Sequence, residues 1–259
     1  MNDIYALGLI FVFTGILFAD GPSPRSFKVV HQMLPAPIET NCYLLYDEKS
    51  GEAALVDVGG PVDTLISVIE KKKLKLKYIF ITHCHPDHVY GLPAVKKRFP
   101  DAPICLSRAD YEDAKLYSQW ESKMSPETVA EIKKFPEAVK IMNFDLSRVC
   151  KPDIFLEDDQ TYRVGDIEIR TIFSPGHSRG SVCYYGGTAL FSGDVLFYRN
   201  VGRTDMEGMS WESLVSSVRR LYSLLPDETM VYPGHGQFTT IGSEKKDNTR
   251  ISEDKTNKP

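Results

Sequence analysis

The sequence predicts a mixed α/β domain, on three observations. Short apolar runs of strand length, such as Phe27–Met33 and Asp166–Phe173, alternate with longer segments whose apolar residues recur at helical spacing, as at 211, 214, 215, 218, 221 and 225. Glycine and proline mark the joints between them, at 35 and 37, 59–61, 165 and 186–187. One apolar run, Tyr78-Ile79-Phe80-Ile81-Thr82, leads directly into His83-Cys84-His85-Pro86-Asp87-His88, so a buried strand delivers a cluster of metal-ligand types to its own end. The 259 residues, 42% of them hydrophobic and 25% charged, have the length and make-up of one large globular domain or two small ones.

The chain opens on a stretch, Ala6 to Ala19, that is almost wholly apolar and is followed by the small residue Gly21. Residues 1–21 are therefore expected to act as a signal peptide or membrane anchor. The run is short beside the roughly 20 apolar residues of a span. Export to the periplasm or the medium, or membrane association through residues 4–19, is the expectation, with a cytoplasmic location as the alternative. The domain proper is expected over 27–245. Strands are expected at Phe27–Met33, Asn41–Tyr46 and Glu52–Val58, with a helix opening at Pro61. After the histidine cluster, Gly91–Phe99 reads as a short helix and Ile104–Leu106 as a strand. Residues 108–144 mix charged and aromatic residues at helical spacing, with Ser125-Pro126-Glu127 as a helix start, and are expected to form a helical insertion. Thr161–Val164 and Asp166–Phe173 read as strands, Ser181–Tyr185 and Thr188–Phe191 as a hairpin across Gly186-Gly187, Trp211–Leu225 as a helix and Thr229–Tyr232 as a last strand. The polar residues from Ser243 onward, 246–259 above all, are expected to form a tail disordered at its end.

Composition narrows the function classes. The net charge is −4, and the Lys71-Lys72-Lys73 triplet suits a helix C-terminus, so nucleic acid is not an expected partner. The five cysteines, odd in number and scattered, form neither a disulfide framework nor a zinc knuckle. Cys84 alternates with His83 and His85, so on an extended segment it points away from them, toward the core.

Five of the six histidines fall in three places of similar local pattern, a strand followed by a glycine or proline turn and then the ligand type. The first is 83–88, where His83 and His85 can converge from one extended segment and Pro86 turns Asp87 and His88 toward a second point. The second is Ser174-Pro175-Gly176-His177, and the third Tyr232-Pro233-Gly234-His235-Gly236. Between them Asp194 leaves a strand through Ser192-Gly193. His31 falls outside and reads as a strand residue with no role. Seven candidate ligands, His83, His85, Asp87, His88, His177, Asp194 and His235, exceed what one tetrahedral ion with an open position can use. Two ions sharing Asp194 satisfy the count, and such pairs lie about 3.5–4 Å apart.

With these motifs in hand, the sequence resembles the metallo-β-lactamase superfamily over about residues 27–245. The resemblance implies a four-layer αβ/βα sandwich of two mixed sheets with the metals at one edge. It also implies a ligand split, with His83, His85 and His177 on one ion, Asp87, His88 and His235 on the other, and Asp194 bridging. Glu39-Thr40-Asn41-Cys42-Tyr43-Leu44, Gly202-Arg203-Thr204-Asp205 and Pro233-Gly234-His235-Gly236 with Thr239-Thr240-Ile241-Gly242 look most like the short glyoxalase II-like hydrolases. Full-length glyoxalase II enzymes carry a C-terminal helical domain that supplies much of the glutathione contact. The short stretch after His235 leads us to expect that domain to be absent, and a thiol carrier other than glutathione. Gly202-Arg203-Thr204-Asp205 also resembles persulfide dioxygenases, which use a single iron. The alternative reading of Arg203 and Asp205 is a mutual salt bridge. Lactonases of the fold place a tyrosine after the bridging aspartate, which Tyr198 could match.

The expectation is thus a hydrolase of a small thioester or related ester, with two divalent ions, zinc first and iron or manganese as alternatives. A hydroxide bridging the ions would attack, and Asp87 would orient it and take its proton. Tyr111, Tyr117 and Trp120 of the insertion would line the substrate pocket or pack the insertion on the core. Persulfide dioxygenase and lactonase activities are the alternatives.

Overall fold

The computed structural model describes residues 12–13, 27–114, 120–146 and 151–251, with the backbone alone at 12–13, 120 and 123. Two mixed sheets form the centre. The first holds β1 (Val12–Phe13), β2 (Phe27–Met33), β3 (Asn41–Asp47), β4 (Glu52–Val56), β5 (Lys75–Phe80), β6 (Ile104–Ser107) and β7 (Ile154–Leu156), side by side in that order. Pairing is antiparallel from β1 to β4 and parallel from β4 to β7. The second sheet uses β8 (Thr161–Val164), β9 (Ile167–Phe173), β10 (Val182–Gly186), β11 (Ala189–Gly193), β14 (Met230–Pro233) and β15 (Thr239–Thr240) in the order β15-β14-β11-β10-β9-β8. A two-stranded ribbon of β12 (Leu196–Phe197) and β13 (Asn200–Val201) stands beside it.

Parallel neighbours need a crossover, and helices supply it. α1 (Asp63–Lys72) links β4 to β5, and α2 (Pro86–Val89) with α3 (Leu92–Arg98) links β5 to β6. Residues 108–144 form the crossover from β6 to β7, with α4 (Arg108–Asp113), α5 (Trp120–Lys123), α6 (Pro126–Lys133) and α7 (Pro136–Met142). The expected start at Ser125 is present: Ser125 Oγ accepts the Thr128 N–H at 3.2 Å, and Pro126 occupies the first turn. α8 (Trp211–Leu224) and α9 (Ile241–Asp247) cover the second sheet.

The alternation of side chains along each strand produces the layers. On β3, Cys42, Leu44 and Tyr46 face a core shared with Leu65 and Ile69 of α1 and Leu92 and Val95 of α3. Tyr43 and Leu45 face the opposite way, into a core between the sheets that also holds Tyr184 and Phe191. On the far side, Cys183 and Leu190 meet Leu214, Val218 and Leu221 of α8 and Ile241 of α9. The order is therefore helices, sheet, sheet, helices, the four layers expected.

The differences from the sequence reading have physical causes. β5 begins at Lys75 and ends at Phe80, because Lys75-Leu76-Lys77 already alternates outward and inward; Ile81 N and Thr82 N continue bonding, to Cys105 O at 3.0 Å and Asp57 Oδ1 at 2.8 Å. The helix after Pro61 starts at Asp63. The β10–β11 turn is Gly187-Thr188, with Gly187 at φ +61°, while Gly186 still pairs with Ala189. Residues 243–251 are not all tail. Glu244 on α9 is fully buried, bonded to Arg199, Thr239 and Asn248, and Ile251 joins the outer core. Among the described residues no helix is long and apolar enough to cross a membrane. Apart from Val12 and Phe13, the expected signal or anchor segment lies outside the described residues, as do 252–259.

Candidate metal centre

The C-terminal ends of β4, β5, β9, β11 and β14 lie along one edge of the sandwich, and each is followed by a residue of the site: Asp57, His83, His177, Asp194 and His235. Backbone bonds stitch the two sheets there. Val182 N donates to Thr82 O at 2.9 Å, Asn41 N to Gly234 O at 2.7 Å, and Thr40 forms an isolated bridge with His235. His85 caps α2 in extended conformation and Pro86 opens its single turn; Asp87 is turned toward His235, while the His88 ring comes back to 4.1 Å from that of His83, closer than the proline turn implied. Cys84 is fully buried in the core under α1 and α3, as its alternation implied.

All seven candidates converge. His83 Nε2 and His177 Nε2 each lie 2.9 Å from His85 Nδ1. His235 Nε2 is 3.2 Å from Asp87 Oδ2, and His88 Nε2 is 3.7 Å from it. Asp194 stands between the two groups. Its Oδ2 is 3.5 Å from both His177 Nε2 and His235 Nε2, and its Oδ1 is 3.4 Å from His88 Nε2. The trios His83/His85/His177, His83/His88/Asp194 and Asp87/His88/His235 each bring three ligand atoms close enough to hold an ion. Gly234 permits this closeness, since a Cβ there would stand 2.1 Å from Asp194 Oδ1 and 2.8 Å from the His88 ring.

Outer contacts fix which nitrogen of three of the rings faces inward. Thr82 Oγ1 donates to Asp57 Oδ2 at 2.8 Å, so its lone pair accepts from His83 Nδ1 at 3.0 Å and leaves Nε2 for the centre. His88 Nδ1 donates to Asp57 Oδ2 at 2.8 Å, and His177 Nδ1 to the Arg203 carbonyl at 3.0 Å. Thr40 Oγ1 donates to Asp87 Oδ2 at 2.9 Å.

The donor set fits a pair of divalent cations. Burial, reinforced by the neighbouring imidazoles for His83, holds His83 and His85 well below the ordinary histidine range and lowers His177, so all three offer neutral lone pairs. Burial alone would raise Asp87 and Asp194. His88 for the first and His235 for the second outweigh it, and both carboxylates fall below the usual range. Burial likewise opposes a charged His88, yet Asp194, Asp57 and Asp87 raise it well above its ordinary value. Several carboxylates thus crowd a fully buried ring, a charge imbalance that cations resolve. Among the described residues, His88 Nε2 and Asp194 Oδ1 are buried with no hydrogen-bond partner.

Residues 36–235 match the metallo-beta-lactamase superfamily domain. The chain belongs to the metallo-beta-lactamase superfamily. It is 31% identical over 213 residues to "Hydroxyacylglutathione hydrolase GloC" of Haemophilus influenzae, covering 81% of this chain and 92% of that protein. Among solved structures it is similar to the BLEG-1 B3 metallo-beta-lactamase, with a TM-score of 0.65 and 31% identity over 86% of this chain and 99% of that one. It is equally similar to TTHA1623 in a di-iron-bound form, with a TM-score of 0.65 and 31% identity over 85% and 98%.

Superfamily membership leaves the surroundings of the cluster to be read from this chain. A cavity of about 440 Å³ opens over it, lined by Pro37 and Ile38, by Met124, Ile132 and Met142 of the 120–142 segment, and by Arg203 and Met206. The helical segment does reach the cavity, and of the three aromatics singled out from sequence Tyr111 is not among the lining residues. Tyr111 packs against the core and Phe155 instead, Tyr117 lies outside the described residues, and so does the side chain of Trp120. Arg203 and Asp205 form a mutual two-bond ion pair, at 2.6 and 2.8 Å. Tyr198 is 46% exposed beside Arg199 and does not line the cavity.

Several supporting residues escaped the sequence reading: Asp57, Thr40, Thr82 and Asp110. Asp110 is buried on α4 and accepts from the backbone N–H of Cys84 and from Gly180 N at 3.2 Å, tying the first histidine turn to the second. His31 also has a place, because its Nε2 donates to Asn41 Oδ1 at 2.7 Å while the Asn41 amide donates to Pro233 O and Gly236 O around His235. The glycine after Asp57-Val58 and the Glu39-Thr40-Asn41 stretch were the available signals; nothing local distinguished Asp110.

Proposed function

We propose that the protein is a dinuclear metallohydrolase of thioesters. His83, His85 and His177 would hold one ion and Asp87, His88 and His235 the other, with Asp194 shared. The observation that carries this is the position of Asp194, whose two oxygens lie within 3.5 Å of histidines from both groups. Bound ions would supply Lewis acidity, polarising the substrate carbonyl and lowering the pKa of water toward 7. Zinc is the expected metal, and the likeness to a di-iron form keeps iron as the alternative.

The chain's own residues do the rest. Asp87 Oδ2, held by Thr40, faces the cavity and is the group to orient the attacking water and receive its proton. The cavity offers little to protonate a leaving group. Glu131 lines it but pairs with Lys134 at 2.5 Å. A thiolate departs without a proton donor, whereas an amine needs one, so the thioester is favoured over the amide or β-lactam. The likeness to GloC supports the same class.

The test is kcat/KM for a thioester, a lactone and a cephalosporin on one metal-loaded preparation. The thioester should lead. A lactone or cephalosporin preferred by a factor of about ten, about 1.4 kcal/mol in transition-state binding, overturns the reading. Oxygen uptake with glutathione persulfide by iron-loaded protein, without thioesterase activity, moves it to the dioxygenases.

A further inference from the structure

Ile132 and Met142, each under a tenth exposed, form with Ala138 a small core of their own, against which Ile38 and Met124 pack. Ile132, Met142, Ile38 and Met124 of this core line the cavity above the metal cluster, and Met206 lines it too. Three of the chain's seven methionines therefore line a single cavity. Methionine is flexible and polarizable, and adapts to apolar chains of varied shape. Among the described residues lining the cavity, Arg203 is the only Lys or Arg, and both its Nε and Nη2 are committed to Asp205. The remaining charged group outside the metal cluster is the carboxylate of Glu131.

A glutathione moiety brings two carboxylates and an ammonium. Recognition of carboxylates calls for uncommitted cations, guanidinium forks above all. Among the described residues, this cavity presents an engaged arginine and an acid. An unbranched aliphatic chain asks only for apolar wall, which Ile38, Met124, Ile132, Met142 and Met206 provide. We infer that this cavity selects thioesters by an aliphatic acyl chain laid against the 120–142 helices, and not by a glutathione carrier; the inference rests on the thioesterase reading above.

The experiment uses full-length, metal-loaded protein and N-acetylcysteamine thioesters with acetyl, butyryl, hexanoyl and octanoyl groups, with S-lactoylglutathione alongside. Each methylene fully buried in the cavity is worth about fourfold in kcat/KM. Hexanoyl is therefore expected to exceed acetyl by at least about tenfold and to exceed S-lactoylglutathione. Met124→Ser and Met206→Ser, both at half-buried positions, should flatten that dependence at unchanged metal content. A flat chain-length series, or S-lactoylglutathione as the best substrate, overturns the inference while leaving the thioesterase reading intact. Calorimetric binding of hexanoate against acetate gives a readout independent of turnover. If no thioester is hydrolysed, tighter hexanoate binding that both variants weaken upholds the cavity assignment while the thioesterase reading falls. Equal binding of the two acids overturns it.

Discussion

Asp57 Oδ2 lies 2.8 Å from His88 Nδ1, and the same oxygen accepts the Thr82 hydroxyl that in turn accepts from His83. One buried carboxylate at the end of β4 thus orients a histidine of each group. Asp57→Asn places an amide N–H against one of these donors while keeping the volume. Metal affinity should fall by about 10–100-fold, the usual cost of losing such an outer partner. Chelator competition measures it, with far-UV circular dichroism as the folding control. Unchanged affinity would remove Asp57 from the site.

Asp194→Ala tests the sharing of that carboxylate. Metal analysis should find about two ions per chain in the unaltered protein, on the two-metal logic, and at least one fewer in the variant, with most activity gone. Full activity at unchanged metal content would falsify the shared-ligand assignment.

Burial pushes the Asp110 carboxyl up to about 6, despite the hydrogen bonds from Ser178, Cys84 and Gly180. A folded pKa above the unfolded value, about 3.9, means that the native state binds more protons through that window. The contribution is complete below about pH 4 and is lost as pH rises through 6, by about 3 kcal/mol at most. In metal-free protein, the melting temperature of the parent minus that of Asp110→Asn should therefore fall from pH 4 to pH 7.5. A difference that is flat or rises with pH contradicts the assignment.

Two arginine ion pairs should behave differently. Arg199 meets Glu244, which is fully buried, whereas Arg203 meets Asp205, which is 64% exposed at the side chain. Arg199→Ala leaves a buried carboxylate without its cation, though still hydrogen-bonded to Thr239 and Asn248. It should cost about 3 kcal/mol, the low end for breaking a buried pair because Arg199 itself is partly exposed. Arg203→Ala should change stability by less than about 1 kcal/mol. Urea unfolding of both variants settles the comparison, and equal costs would refute it.

The helix over Trp211–Leu224 and the strands over Phe27–Met33 and Thr161–Val164 were legible in the sequence because periodicity records which face is buried. The convergence of His83, His85, Asp87, His88, His177, Asp194 and His235 was legible too, since His83 and His85 come directly off a strand and the other five follow a glycine or proline at or just beyond a strand end. Packing made other features invisible. β7 is three residues long and exists because β6 offers it a partner. α9 looks like a polar tail until Arg199, Thr239 and Asn248 satisfy the buried Glu244.

The sequence by itself determined the class of the molecule: the strand-and-helix order, the ligand types and the turns that carry them are local, written within a few residues of each other. Only the tertiary structure decided that Asp57, Thr40 and Asp110 stand behind the candidate ligands, and that Ile132, Met142 and Met206 line the cavity where Tyr111 does not. Those contacts join residues far apart in the chain, such as Asp110 with Gly180, and depend on how the sheets and crossovers stack. Side-chain periodicity reports that a face is covered; it carries no record of which distant face covers it.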